Sequence, residues 1–156
     1  MVKINTKNMQ LNCFTHYNIM SLLFCIYYNN FYNLYAITSC WTMSIFVTFH
    51  SAIIYDKNTY VKIRKKLDIN FIEFHICNFF LHSVPCIYIY YYPPDMVNYY
   101  HCYISLLLKY IWVYISTNKT MDLSNIYIKF SSENVKKLYA TSFLSALIVP
   151  TYYKLV

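Results

Sequence analysis

Residues Tyr35 to Tyr55, YAITSCWTMSIFVTFHSAIIY, run for 21 positions without one formal charge. A helix of about 20 mostly apolar residues crosses the hydrocarbon core of a bilayer. The rest of the chain points the same way. Its 156 residues fit one domain with one continuous interior. Hydrophobic residues make up 58% and charged residues 12%, against about a quarter charged in an average soluble domain. A water-facing surface is hard to build from that set, and disorder is excluded by the same balance. Glycine is absent altogether. That argues against barrels and sandwiches with tight hairpins, and it excludes glycine phosphate loops and the dinucleotide fingerprint. The expected class is all-α: an integral membrane helical bundle with four to five transmembrane helices, residues 1–156 forming a single membrane domain.

Five candidate spans follow: 12–32, 35–55, 71–92, 99–116 and 138–152. The second is the cleanest, with His50 near one end. The third has Glu73 at its entrance, where a carboxylate reaches the interface. The fourth carries Lys109 near mid-depth, which costs about 2.5–3.5 kcal/mol on the insertion scale. Leu106, Leu107, Leu108, Ile111, Trp112 and Val113 offset most of that cost. The first has a short apolar centre, Ile19 to Tyr28, and spans when Asn12, His16, Asn29 and Asn30 lie in the headgroup layers. The last is short and contains Pro150, so it spans with tilt, stops half-way or lies on the surface.

Charge supplies an independent check. The N-terminal tail carries Lys3 and Lys7 and no acid. Residues 56–70 carry Lys57, Lys62, Arg64, Lys65 and Lys66 against Asp56 and Asp68. Residues 117–137 carry four lysines against Asp122 and Glu133, whereas 29–34 carry no charge and 93–98 carry only Asp95. Basic and non-basic connections therefore alternate. The positive-inside rule puts the N-terminus and both basic loops in the cytoplasm and requires a span at 12–32. The sequon Asn118-Lys119-Thr120 is then cytoplasmic and unmodified. A cleaved signal peptide is the competing reading of the N-terminus; the polar gap NNFYN and the span that follows at once oppose it.

Ionisable groups within a bilayer usually face the bundle interior. His75, Asn78, His82 and Pro85 fall on one face of the third span. Ser44, Thr48 and Ser51 share a face of the second, and His101, Ser105, Lys109, Trp112 and Ser116 a face of the fourth. Without glycine, Ser, Thr, Ala and Cys serve as the small contact residues. Thr48 and Asn78 stand at equal depth on antiparallel neighbours and are expected to pair, with His82 and Lys109 near mid-depth. Pro85 leaves the Leu81 carbonyl free, so a kink is expected beside His82. These polar groups read as packing glue. The other reading is a proton or ion path, which a histidine near neutral pKa suits.

Tyr occurs 20 times and Phe 11 times, and Arg64 is the only arginine. The favoured residues have AT-rich codons, so tyrosine runs such as Tyr90, Tyr91, Tyr92 need no functional reading. In this composition, without any motif, the chain resembles the uncharacterised multi-pass membrane proteins of AT-rich giant DNA viruses. Thr48 in FVTF, and Asn78 four residues before His82, resemble short motifs of the androgen-induced-gene family of membrane threonine hydrolases. That resemblance implies a multi-span helical fold acting on lipid-like esters, with Thr48 as nucleophile and His82 as general base. It covers two short motifs. It departs from the family in chain length and in placing the two residues on adjacent spans, at depths about 6 Å of helix rise apart.

The six cysteines have no CxxC or finger spacing. In this topology Cys25, Cys40, Cys86 and Cys102 share the non-cytoplasmic side, where a disulfide or a Cys–His101 metal site is the alternative to small buried thiols. No cofactor or metal is implied. The net charge of +7 is spread over loops that set topology, so nucleic acid is not an expected partner. The expected partners are the lipid bilayer, anionic lipid at the 56–70 loop, and further copies of the chain in a homo-oligomer. The function expected is that of a structural or accessory protein of a cellular or viral membrane, without an active site. The alternatives are a small oligomeric ion or proton channel using His82 and Lys109, and the Thr48–His82 ester hydrolase.

Overall fold

A computed structural model describes residues 18–28, 31–116 and 132–155. They form six helices, with no strand among the described residues. These are α1 (Asn18–Tyr28), α2 (Tyr32–Tyr55), α3 (Thr59–Leu67), α4 (Phe71–Tyr91), α5 (Tyr99–Ser116) and α6 (Ser132–Leu155). The all-α class therefore holds.

Two helices, α2 and α4, are long and apolar enough to cross a membrane by length and composition. The other expected spans fare differently. Helix α1 is shorter than a span; residues 12–17 and 29–30 lie outside the described residues, and Tyr32 already belongs to α2. Helix α5 has a span's length but carries Lys109. Helix α6 is longer than the expected 138–152, because the polar turns from Ser132 continue the same helix. Asn118 and Cys13 lie outside the described residues.

Local chemistry sets the breaks. Helix α2 ends at Asp56, whose backbone is extended. The Asp56 carboxylate accepts from the Asn58 backbone N–H at 3.0 Å and from Lys62 Nζ at 2.5 Å. Buried Thr59 donates back to the Ala52 carbonyl at 3.1 Å. These bonds fold basic α3 onto the end of α2. Asp68 then stops α3 in the left-handed region, at φ 54°, a conformation Asp tolerates better than most residues. Asn70 and Glu73 form a reciprocal capping box at 2.9 and 2.8 Å and start α4. Glu73 thus spends its carboxylate on the cap.

Within α4 one turn, Phe79–Ser83, is a π-turn. The Val84 N–H reaches the Phe79 carbonyl across it. Pro85 stands two residues past it, so the wider turn coincides with the bond that the missing N–H cannot make.

The packing inverts that of a water-soluble domain. Helix α2 packs most extensively on α6, then on α5, then on α4. Its buried side chains are small and largely polar: Ala36, Thr38, Ser39, Cys40, Thr42 and Ser44. Of these, Ala36, Cys40 and Ser44 meet Ser142, Ala146 and Val149, which are buried on α6 together with Ser145. Large apolar side chains point outward instead, Ile54 at 74% exposure, Ile72 at 68% and Leu144 at 63%. Helix pairs in lipid associate through such small residues, while lipid solvates the large ones.

Candidate functional site

The most polar point of the interior is Lys109, where α2, α5 and α6 meet. Its Nζ donates to Ser44 Oγ at 2.8 Å, to Ser142 Oγ, and to Thr48 Oγ1 at 3.5 Å. Three hydroxyl oxygens on two other helices thus surround the Nζ. The hydroxyls are bonded in turn. Ser44 Oγ lies 3.0 Å from Ser142 Oγ and 3.1 Å from the Ser142 carbonyl. Thr48 Oγ1 donates to the Ser44 carbonyl at 2.5 Å. Ser44 and Ser142 are buried, and among the described residues no carboxylate pairs with Lys109.

Such a node closes the bundle around a lysine without a counter-ion. A lysine beside a serine is also a known form of nucleophile activation. Here, though, both serines and Thr48 lie inside helices, whose N–H groups serve the helical ladder and are not aimed as oxyanion donors.

The other polar residues sit elsewhere. His82, 8% exposed, stacks on Phe49 with centroids 4.2 Å apart and planes 15° apart. Phe49 also meets His50 edge-on at 5.6 Å. His82 Nδ1, His50 Nε2 and Asn78 Oδ1 are buried and have no hydrogen-bond partner among the described residues. No hydrogen bond joins His82 to Thr48 or to Lys109, and none joins Thr48 to Asn78. His75 is exposed and packs on Phe71 and Phe74, while Phe74 is buried in its place. The π-turn accounts for this. An extra residue in one turn brings 74, 78 and 82 into line, where straight α-helical spacing aligns 75, 78 and 82.

Two further polar contacts tie neighbouring segments together. His101 Nδ1 accepts from the Asn98 N–H at 3.0 Å, which leaves Nε2–H to donate to Asn33 Oδ1 at 3.0 Å. Asn18 Nδ2 donates to Thr42 Oγ1 at 2.6 Å between α1 and α2. Ser142, Asn33 and Asn18 are the partners that spacing arguments pass over. For Ser142 and Ser145 a signal exists: with Ala146 and Val149 they form a small-residue stripe on α6.

Cys25, Cys40, Cys77, Cys86 and Cys102 are free thiols. Cys40 and Cys102 share the buried core cluster with Leu106 and Val149. Among the described residues no group of three His, Cys, Asp or Glu is placed to hold a metal ion. Between α2 and α3, the Lys62 hydrogen bond, with the Asn58 N–H behind it, holds the Asp56 carboxyl below its ordinary range.

The chain matches no protein-family model, no curated protein and no solved structure.

Proposed function

We propose that the chain is a multi-pass integral membrane protein of four to five spans, with a structural or accessory role in a host or viral membrane. The observation that carries this is the inverted packing: hydroxyls and a lysine inside, Ile and Leu outside. In water, so large an apolar exterior would drive aggregation. In lipid it is the solvated surface. Helices α5 and α6 join α2 and α4 as spans in this reading, since Lys109 needs no charge partner when three hydroxyls surround it. The alternation of basic and non-basic connections supports a cytoplasmic N-terminus.

A second reading, the small channel, draws on the three unpartnered atoms of His50, Asn78 and His82. Buried polar atoms of that kind call for a water, an ion or a proton.

Topology mapping tests the first reading. Expressed in a glycosylating cell, the chain should stay in the membrane fraction after alkaline extraction, and Asn118 should carry no glycan. A mass shift removed by Asn118→Gln reverses the orientation. Release by alkali refutes the membrane reading. Reconstitution in liposomes tests the second: the structural reading expects no proton or cation flux. Flux abolished by Lys109→Leu and His82→Leu would establish the channel in its place.

A further inference from the structure

At one end of the bundle the start of α2 and the end of α4 enclose a cavity of about 430 Å³. Its wall includes Phe31, Tyr32 and Tyr35 on one side and Tyr88, Tyr91 and Tyr92 on the other, closed by the segment that carries Asp95. The Tyr35 hydroxyl donates to the Tyr92 backbone carbonyl and ties the two sides together. Tyr88 and Tyr92 pack with centroids 4.9 Å apart. The volume lies within the range of small-ligand sites, roughly 300–1,000 Å³. Among the described residues Asp95 is the one charged member of this wall, and none with a basic side chain lines it.

We infer that this cavity binds a quaternary ammonium group, either of a choline headgroup or of a free organic cation. The negative faces of aromatic rings attract cations, most of all those that surrender little hydration. A trimethylammonium group has no N–H, so a wall of rings costs it no hydrogen bond. Asp95 supplies the net charge, and the absence of a basic residue disfavours a free anion. An AT-rich composition explains why tyrosines are plentiful. It does not explain why five of them, from two helices and the segment beyond, line one cavity with a single carboxylate.

The test uses the full chain in maltoside micelles, whose headgroups hold no ammonium. Ligand-observed NMR titrations compare choline with 3,3-dimethylbutan-1-ol, a neutral molecule of the same shape. Choline should bind about tenfold more tightly or better, and Tyr91→Leu and Asp95→Asn should each weaken it about tenfold. Both residues are exposed, and matched circular dichroism confirms folding. No choline binding, equal affinity for the neutral molecule, or parent-like affinity in both variants overturns the site. Nanodiscs then separate the sources. Loss of choline binding in phosphatidylcholine discs, with retention in phosphatidylglycerol discs, identifies the lipid headgroup. Retention in both identifies the free cation. Because the titration is done in micelles, its outcome does not depend on how many helices cross a bilayer.

Discussion

Helix α2 carries two faces that handle buried polar groups in opposite ways. Toward α5 and α6, Ser44 and Thr48 meet Lys109 and Ser142, and every hydroxyl of that group has a partner. Toward α4, Phe49 separates His50 from His82, and three polar atoms are left without one. The first face is a polar weld. The second is an aromatic seam that tolerates unsatisfied groups within it. The difference lies in side-chain reach. Lys109 extends across the interface to hydroxyls on two helices, whereas a stacked imidazole is fixed in the plane its neighbour allows.

If the weld holds the bundle, Ser44→Leu should have the largest effect. Ser44 is fully buried between α2 and α6, and a branched side chain there overpacks the contact by about 1–3 kcal/mol. Loss of folded protein in a denaturant titration in micelles would show it. Unchanged stability would mean that α6 does not close on this face.

Lys109→Leu probes the same weld from its centre. Insertion of the isolated α5 segment should improve by about 2 kcal/mol or more. The assembled bundle should survive, because Ser44 and Ser142 remain bonded to each other. Collapse of the bundle would give Lys109 more than the about 0.6 kcal/mol of an average hydrogen bond in a membrane bundle.

The seam predicts the opposite sign. His82→Phe keeps the stack on Phe49 and removes the unpartnered Nδ1, so stability should rise by about 1 kcal/mol. A loss of stability would mean that a water or ion occupies the seam in the membrane.

The smallest effect lies outside both faces. The Asp56 carboxyl is held below its ordinary value of 3.8 by Lys62. A carboxyl depressed on folding stabilises above its unfolded pKa and loses that contribution as pH falls through the folded value. The protection factors of the α3 amides, taken against the intrinsic exchange rate at each pH, should therefore be high at neutral pH and fall below about pH 3.8. The exposed ion pair limits the effect of Asp56→Asn to about 0.5 kcal/mol. Protection factors indifferent to pH would detach α3 from the end of α2.

Helix class, the uncharged α2 and the inward face of α5 were legible because each rests on one periodicity and on charge. His101 and Ser105 are buried and Lys109 is half-buried on one face, as 3.6-residue spacing requires. What was not legible depends on partners remote in sequence. Lys109 is matched by Ser142, 33 positions away, and no local pattern connects them. The face of α4 was misaligned before the π-turn, because Pro85 signals a disturbance without saying whether the helix kinks or widens. The aromatic cavity was hidden for a third reason: in a chain this rich in tyrosine, a cluster has no compositional contrast.

The claim that small hydroxyl residues join α2 to α6 inside a membrane can be put to one measurement. Ser44→Cys and Ser142→Cys are introduced together in a background without other cysteines and oxidised in alkali-washed membranes. Their hydroxyls stand 3.0 Å apart, so a disulfide should form rapidly within the chain. The outward pair Ile72→Cys and Leu144→Cys should remain reduced under the same conditions. Absence of the 44–142 cross-link, or equal cross-linking of both pairs, would contradict the packing from which the membrane reading follows.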